Sequence, residues 1–209
     1  MVSYIVQLDF SADFDRVSHS GLLFKLKSFG VGGCVLSICR EFLSDCRFGE
    51  FPLQIVPLRV LVDGAACEWI PIIAGVLQGS VLEPLLFIIY TSEMCELVEN
   101  RLFAYADDST LLAVVRKPAD RPAVAASLNR DLARIQEWCK HWCTVLNHNK
   151  SRASVFSRSR AMNHTHVYLV LSGVSIRAST NLDILGVKFD GKLNFEDHVR
   201  GVFPVSLRE

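Results

Sequence analysis

Hydrophobic and polar positions recur along this chain in blocks that read as a mixture of strands and helices. Residues 3–10, Ser-Tyr-Ile-Val-Gln-Leu-Asp-Phe, are rich in β-branched and aromatic side chains, which predicts a strand that delivers Asp9 to its tip. In 18–29, Leu22, Leu23, Leu26 and Phe29 fall at helical spacing, with Ser18 or Ser20 as cap and Gly30 as stop. A second helix is predicted over 33–44, with Val35, Leu36, Ile38, Cys39, Phe42 and Leu43 on its apolar face. Residues 58–62 and 66–73 read as a hairpin, because the intervening Asp63-Gly64 supplies the positive φ angles of a tight turn.

Residues 80–100 read as a buried helix, and 101–105 with 110–115 as a second hairpin whose turn holds Asp107 and Asp108. Pro118 and Pro122 break the chain before a long amphipathic helix over 123–145, with Leu128, Leu132, Ile135, Trp138 and Trp142 spaced by three and four. Short strands are expected near 152–157, 167–171 and 183–189, with Ser172-Gly173 as a turn. There is no fixed-period repeat. Strands and helices mix without strict alternation, which predicts an α+β fold, an antiparallel sheet backed by helices.

Half of the 209 residues are hydrophobic, enough for a substantial core. No window approaches the roughly 18 uninterrupted apolar residues of a bilayer span, so no membrane partner is expected. The first ten residues lack the basic start and small-residue cleavage site of a signal peptide. Seven cysteines, an odd count without repeated spacing, indicate free thiols and a reducing, intracellular setting, cytoplasmic or nuclear. Net charge is zero, yet 138–182 holds Lys140, Lys150, Arg152, Arg158, Arg160 and Arg177 with no acidic residue. Such a segment can meet phosphates; as a solvated basic surface it reads equally well.

Adjacent Asp107 and Asp108 repel, and no Lys or Arg follows before Arg116. A divalent cation removes that cost, and Asp9, at the end of another strand, is the natural further ligand. Two ions held in this way suit in-line phosphoryl displacement. Taken alone, such a pair is more often a solvated turn than a metal site. Cys139, His141, Cys143 and His148 invite a zinc reading, which their helical placement and the absence of a second cysteine pair disfavour. Trp138 and Trp142 lie on an apolar face and read as core rather than as a base-stacking platform.

Five segments in order resolve these alternatives: Asp9-Phe-Ser-Ala-Asp-Phe-Asp15-Arg-Val17, Gly75-Val-Leu-Gln-Gly-Ser80-Val-Leu-Glu-Pro84, Phe103-Ala-Tyr-Ala-Asp-Asp108, Leu146-Asn-His-Asn-Lys-Ser151, and Leu185-Gly-Val187 followed by Leu193-Asn-Phe-Glu-Asp-His198. Together they resemble the successive motifs of reverse transcriptases, most closely those of non-LTR, jockey-like and other LINE-type retrotransposons. The resemblance implies a polymerase palm over 1–200 with a short tail over 201–209. It implies RNA-directed DNA synthesis with two Mg2+ ions, Mn2+ being a substitute, acting on an RNA template, a DNA primer and deoxynucleoside triphosphates. By it Asp9 and Asp107 are the principal metal ligands and Asp108 an accessory one. Phe10, Phe14, Gln78, Gly79 and Ser80 fall on the substrate side, with Phe14 in the place of the gate that crowds a 2′-hydroxyl. Lys150 matches a proposed proton donor to pyrophosphate or a phosphate-binding cation, and Arg152, Arg158 and Arg160 are candidate nucleic-acid contacts.

The chain departs from that pattern at Asp13, where alanine is usual, at Leu77 for proline and at Glu83 for glycine. Ser80-x-x-Glu83 is, however, a capping-box spacing. Residues 47–57 look like an insertion without an assigned role. Segments matching fingers and thumb are not found within these residues, so a longer parent would have to supply them, and little or no synthesis is expected from the chain alone. A truncated or decayed copy that at most binds nucleic acid or a partner is the alternative. Copying RNA into RNA is disfavoured by Phe14 and by Ala106 where glycine would precede the acid pair.

Overall fold

The computed structural model describes residues 2–11, 14–44, 57–58, 61–62, 65–66, 70–71, 74–76, 80–106, 108–157 and 167–202. It divides into two compact units, one of residues 1–11, 93–140 and 145–209, the other of 12–92 and 141–144.

The first unit is built on β1 (Val2–Leu8), whose Val2, Tyr4, Val6 and Leu8 are each no more than 2% exposed. That period of two is what the alternating sequence demands of a strand with one buried face. In the second unit come α1 (His19–Ser28), α2 (Gly33–Ser44), the two-residue strands β2 (Pro57–Leu58), β3 (Leu61–Val62), β4 (Ala65–Ala66) and β5 (Ile70–Pro71), and α3 (Glu83–Thr91). The chain then returns to the first unit through β6 (Arg101–Tyr105), β7 (Asp108–Val115) and α4 (Arg121–His141). After it come β8 (Arg152–Phe156), β9 (Val170–Leu171), β10 (Val174–Ser175), β11 (Arg177–Ala178), β12 (Asn181–Ile184), β13 (Val187–Asp190) and α5 (Glu196–Val202).

Five strands of the first unit form one sheet in the order β11-β8-β1-β7-β6, antiparallel except for the parallel β11–β8 pair. Val2 faces Val115, Tyr4 faces Ala113, Val6 faces Leu111 and Leu8 faces Ser109, so the buried residues of β1 and β7 share one side. From α4, Leu128, Leu132 and Ile135 are fully buried and Trp138 is 6% exposed. Asp131 on the same helix is fully buried and accepts the Glu99 N–H at 2.8 Å, the Asn100 N–H at 3.0 Å and the Asn100 Nδ2 at 2.7 Å. It thereby ties α4 to the residues that enter β6. Asn129 holds β9 in a similar way, accepting from Val170 N–H at 2.9 Å and donating to the Tyr168 carbonyl at 3.1 Å.

The second unit buries Val17, Leu22, Leu26, Leu36, Cys39, Leu43, Val76, Leu86, Phe87 and Tyr90 as one cluster. Ser18 caps α1 as expected, its hydroxyl accepting from Gly21 N–H at 3.3 Å, and Gly30 ends it at φ 81°. Lys25 is fully buried: Nζ donates to the Tyr90 carbonyl at 2.5 Å and lies 3.9 Å from the centroid of a Trp142 ring.

Several expectations need correction. The α2 face is the narrower stripe Leu36, Cys39 and Leu43, whereas Val35 and Ile38, a helical step off it, are more than half exposed. The helix expected over 80–100 covers only α3. Beyond it the Thr91 and Ser92 hydroxyls bond back to the Phe87 and Ile89 carbonyls, and residues 92–96 tighten into a 3-10 turn. The strand expected over 183–189 is the hairpin β12–β13, turned at Leu185 (φ 49°) and Gly186 (φ 78°); a leucine in the left-handed region gave no turn signal. Trp142 lies past the end of α4, in the second unit. The β3–β4 pairing brackets the expected Asp-Gly turn, although residues 63 and 64 lie outside the described residues, as does all of the 47–57 insertion except Pro57.

Candidate active site

The carboxylates of the first unit are positioned by strand register. Leu8 and Ser109 are the last pair of the β1–β7 ladder, and Asp9 follows the one while Asp108 precedes the other, so both acids stand at the same end of the sheet. Tyr105 pairs with Asp108, which leaves only residues 106 and 107 for the β6–β7 turn. Asp108 is thus the first residue of β7 and not, as the sequence suggested, part of a wider turn. Ala106 takes φ 51°, the left-handed conformation that two-residue hairpin turns favour. Asp107 itself lies outside the described residues.

Asp9 is fixed by its backbone. Its N–H donates to the Ser151 hydroxyl at 3.2 Å and its carbonyl accepts from Asn147 N–H at 2.7 Å. Ser151 is fully buried and passes the chain of bonds on to the Asn147 carbonyl at 2.9 Å. Asn147 Oδ1 in turn accepts from the backbone N–H groups of Asn149 and Lys150, closing an Asx turn over residues 147–150. Lys150 leaves that turn with its side chain 70% exposed and Nζ 3.9 Å from Asp9 Oδ2. Phe10, expected on the substrate side, has its ring buried at 6% exposure and bridges Leu146 through the backbone.

Asp9 Oδ2 is enclosed and has no hydrogen-bond partner, while the side chain as a whole is 37% exposed, so the carboxyl has one sheltered and one open oxygen. A buried carboxylate oxygen without a donor is costly, and the Lys150 ammonium at 3.9 Å is beyond hydrogen-bonding range. A divalent cation bound by hard oxygen donors meets that need, so the residues present fit Mg2+ or Mn2+. Among the described residues no three His, Cys, Asp or Glu side chains are grouped to hold a metal. Of the three carboxylates expected from the sequence, Asp9 and Asp108 are among the described residues.

Phe14 and Ser80 belong to the second unit. The Phe14 ring stacks at a tilt on Phe87 with centroids 4.8 Å apart, and its carbonyl accepts from Val76 N–H at 2.8 Å. Gly75 N–H donates to the Val17 carbonyl, and His19 Nε2 is 2.7 Å from the Gly75 carbonyl oxygen. Gly75 takes φ 100°, and a Cβ there would sit 3.2 Å from the Asp15 backbone, so glycine is required for the close approach. The Ser80 hydroxyl accepts from Glu83 N–H at 3.1 Å, the forward half of the expected capping box. Gln78, Gly79, Asp13, Leu77, Arg158 and Arg160 lie outside the described residues.

Sequence reasoning did not single out Ser151, Asn147 or Phe87, although the first two stand inside one of the quoted motifs. The signal was local: an Asn followed by polar residues and a small hydroxyl is a turn pattern.

Residues 1–189 match the family described as reverse transcriptase (RNA-dependent DNA polymerase). The chain is 32% identical over 203 residues to the RNA-directed DNA polymerase from mobile element jockey of Drosophila melanogaster, and 28% identical over 205 residues to the probable RNA-directed DNA polymerase from transposon BS of the same organism. Each alignment covers 93% of this chain, and the chain spans about a fifth of the length of these relatives. Among solved structures it resembles apo telomerase from Candida tropicalis truncated from the C-terminal domain, with a TM-score of 0.58 and 15% identity over 92% of this chain and 35% of that one. That likeness supports a palm-like α+β fold. Among the described residues no helix is long and apolar enough to cross a membrane.

Proposed function

Because the chain belongs to the reverse transcriptase family, we propose that it carries the carboxylate centre of an RNA-directed DNA polymerase of a non-LTR retrotransposon, in which Asp9, Asp107 and Asp108 hold two Mg2+ ions. The observation that carries this reading is the β1–β7 register, which brings Asp9 and Asp108 to one end of the sheet, together with the enclosed, unpartnered Asp9 Oδ2. When bound, the two ions supply a nucleophilic 3′-oxygen and charge neutralisation at the transferred phosphate.

The chain's own residues do the rest. Ser151 and Asn147 fix the Asp9 backbone, so that its carboxyl is preorganised. Lys150 Nζ, exposed and 3.9 Å from Asp9 Oδ2, meets the phosphate tail of the incoming nucleotide or passes a proton to departing pyrophosphate. Phe14, whose ring is braced by Phe87, takes the role that the family motif assigns to it, disfavouring a 2′-hydroxyl. Gln78, Gly79 and Ser80 take the role that the family motif assigns to them, toward the templating base and the incoming nucleotide, with RNA as template and DNA as primer.

Metal binding tests this reading without requiring turnover. Titration of the chain with Mn2+ in the presence of a deoxynucleoside triphosphate, followed by electron paramagnetic resonance, should show bound Mn2+ that falls at least tenfold in affinity in Asp9→Asn and Asp107→Asn. Equal binding by the wild-type chain and both variants would reject the carboxylate centre.

A further inference from the structure

Two arginines stand side by side on the sheet. Arg177 of β11 is the parallel partner of Arg152 on β8, and Arg152 is the antiparallel partner of Gln7 on β1. Directly paired residues project to one face, and Asp9 lies two residues beyond Gln7 on that same face. Strand spacing places the Cα of Arg152 about 8 Å from that of Asp9 and the Cα of Arg177 about 12 Å away.

Like charges directly opposite in a sheet are destabilising, and proteins normally relieve them with a carboxylate. Among the described residues neither arginine is paired with one. Arg152 Nη1 donates to the Ser151 carbonyl at 2.9 Å and to the Asn149 carbonyl, contacts that neutralise no charge, and Arg177 is exposed. Arg130 and Arg134 of the same unit are matched by Glu99, at 2.8 and 3.0 Å, and Arg200 by Glu196 at 3.7 Å, whereas Arg101 and Arg116 stand singly and face no second arginine across a strand pair among the described residues. Lys150, two residues before Arg152, extends the cationic row toward Asp9.

We infer that Arg152 and Arg177 form a phosphate clamp. The two backbone carbonyls hold the Arg152 guanidinium in place, and its remaining N–H groups, with the whole Arg177 fork, close on one phosphate. The ligand chemistry is a phosphate oxyanion, either a phosphodiester of a nucleic-acid strand or the phosphate tail of a nucleotide. This rests on the proposed polymerase reading only for the choice of probes, since the arginine pairing is set by the β11–β8 register and does not depend on what the carboxylates bind.

The test uses the full chain and measures fluorescence anisotropy with a labelled RNA–DNA hybrid across a salt series, and competition by inorganic tripolyphosphate. Arg152→Gln/Arg177→Gln should weaken binding by about tenfold at low salt and lower the salt slope by about 1 to 2. Arg130→Gln removes a matched charge elsewhere and should change neither. The lysine pair Arg152→Lys/Arg177→Lys, which keeps the charge, should preserve the slope while weakening binding, with unchanged circular dichroism showing that the fold is intact. Loss confined to the hybrid identifies a strand phosphodiester, and loss confined to tripolyphosphate a nucleotide tail. A double glutamine variant that behaves as Arg130→Gln does, or a wild-type chain that binds neither probe, overturns the clamp. Failure of the Mn2+ experiment with the clamp intact would instead count against the carboxylate centre alone.

Discussion

Replacing Asp131 should damage both stability and the acid turn, because one buried carboxyl organises the entry to β6. Its oxygens receive the Glu99 N–H, the Asn100 N–H and the Asn100 side-chain amide at 2.7 to 3.0 Å, with Arg134 Nη1 3.5 Å away. Asp131→Ala leaves these donors facing a cavity. Hydrogen bonds to a charged group contribute about 1.5–3 kcal/mol each and are not additive, and breaking a buried charged network typically costs about 3–5 kcal/mol. The arginine left behind is 45% exposed and stays solvated, so the cost lies in the three N–H donors left facing the cavity, together about 4 kcal/mol. For a chain of this size a loss of about 4 kcal/mol lowers the melting temperature by roughly 8–16 °C. Urea unfolding measures the loss, and hydrogen exchange at the Glu99 and Asn100 amides locates it. A variant within about 1 kcal/mol of wild type, with both amides still protected, would refute the tether.

Gly75→Ala should cost about 1–3 kcal/mol in urea unfolding, because it forces a side chain into φ 100° against the Asp15 backbone; an unchanged midpoint would reject the close approach. Ala106→Gly should stabilise the β6–β7 turn by up to about 1 kcal/mol, since glycine adopts φ 51° without strain, and destabilisation would show the turn is held otherwise. Asp190 gives a pH-dependent outcome. Partial desolvation pushes its carboxyl up, but N–H donors from Lys192, Phe195 and Asn194 outweigh that and hold it below its ordinary range. Its contribution is therefore complete above the unfolded-state value and is lost as pH falls through the lower folded value. Asp190→Asn should melt below wild type near neutral pH and converge with it in acid, and a constant gap across pH would contradict this.

Where side-chain chemistry and backbone period agreed, the fold was legible in advance. The alternation in β1, the Ser18 cap with its Gly30 stop, and the Leu128, Leu132 and Ile135 stripe all appear as read. The misreadings share a cause, the override of local signal by backbone geometry. Leu185 and Ala106 take left-handed angles that their side chains do not advertise, so one hairpin was missed and the other was drawn two residues too wide. Val35 and Ile38 matched the hydrophobic pattern of α2, and only packing reveals that its buried stripe is narrower. At the site, the acids were visible as residue types, but the register that brings Asp9 and Asp108 to one end of the sheet and the Ser151 support beneath Asp9 come only from the folded chain. The side-by-side arginines 152 and 177 are 25 positions apart in sequence and meet only through the parallel ladder.

The most direct test of the carboxylate centre is metal-directed cleavage. Fe2+ substituted for Mg2+ in the presence of ascorbate and peroxide cuts the backbone beside the residues that hold it, and mass spectrometry reads the positions. The account predicts cuts at 9–10 and 106–108, suppressed by excess Mg2+ and absent in Asp9→Asn. Cleavage elsewhere, or cuts at those positions that persist in Asp9→Asn, would contradict it.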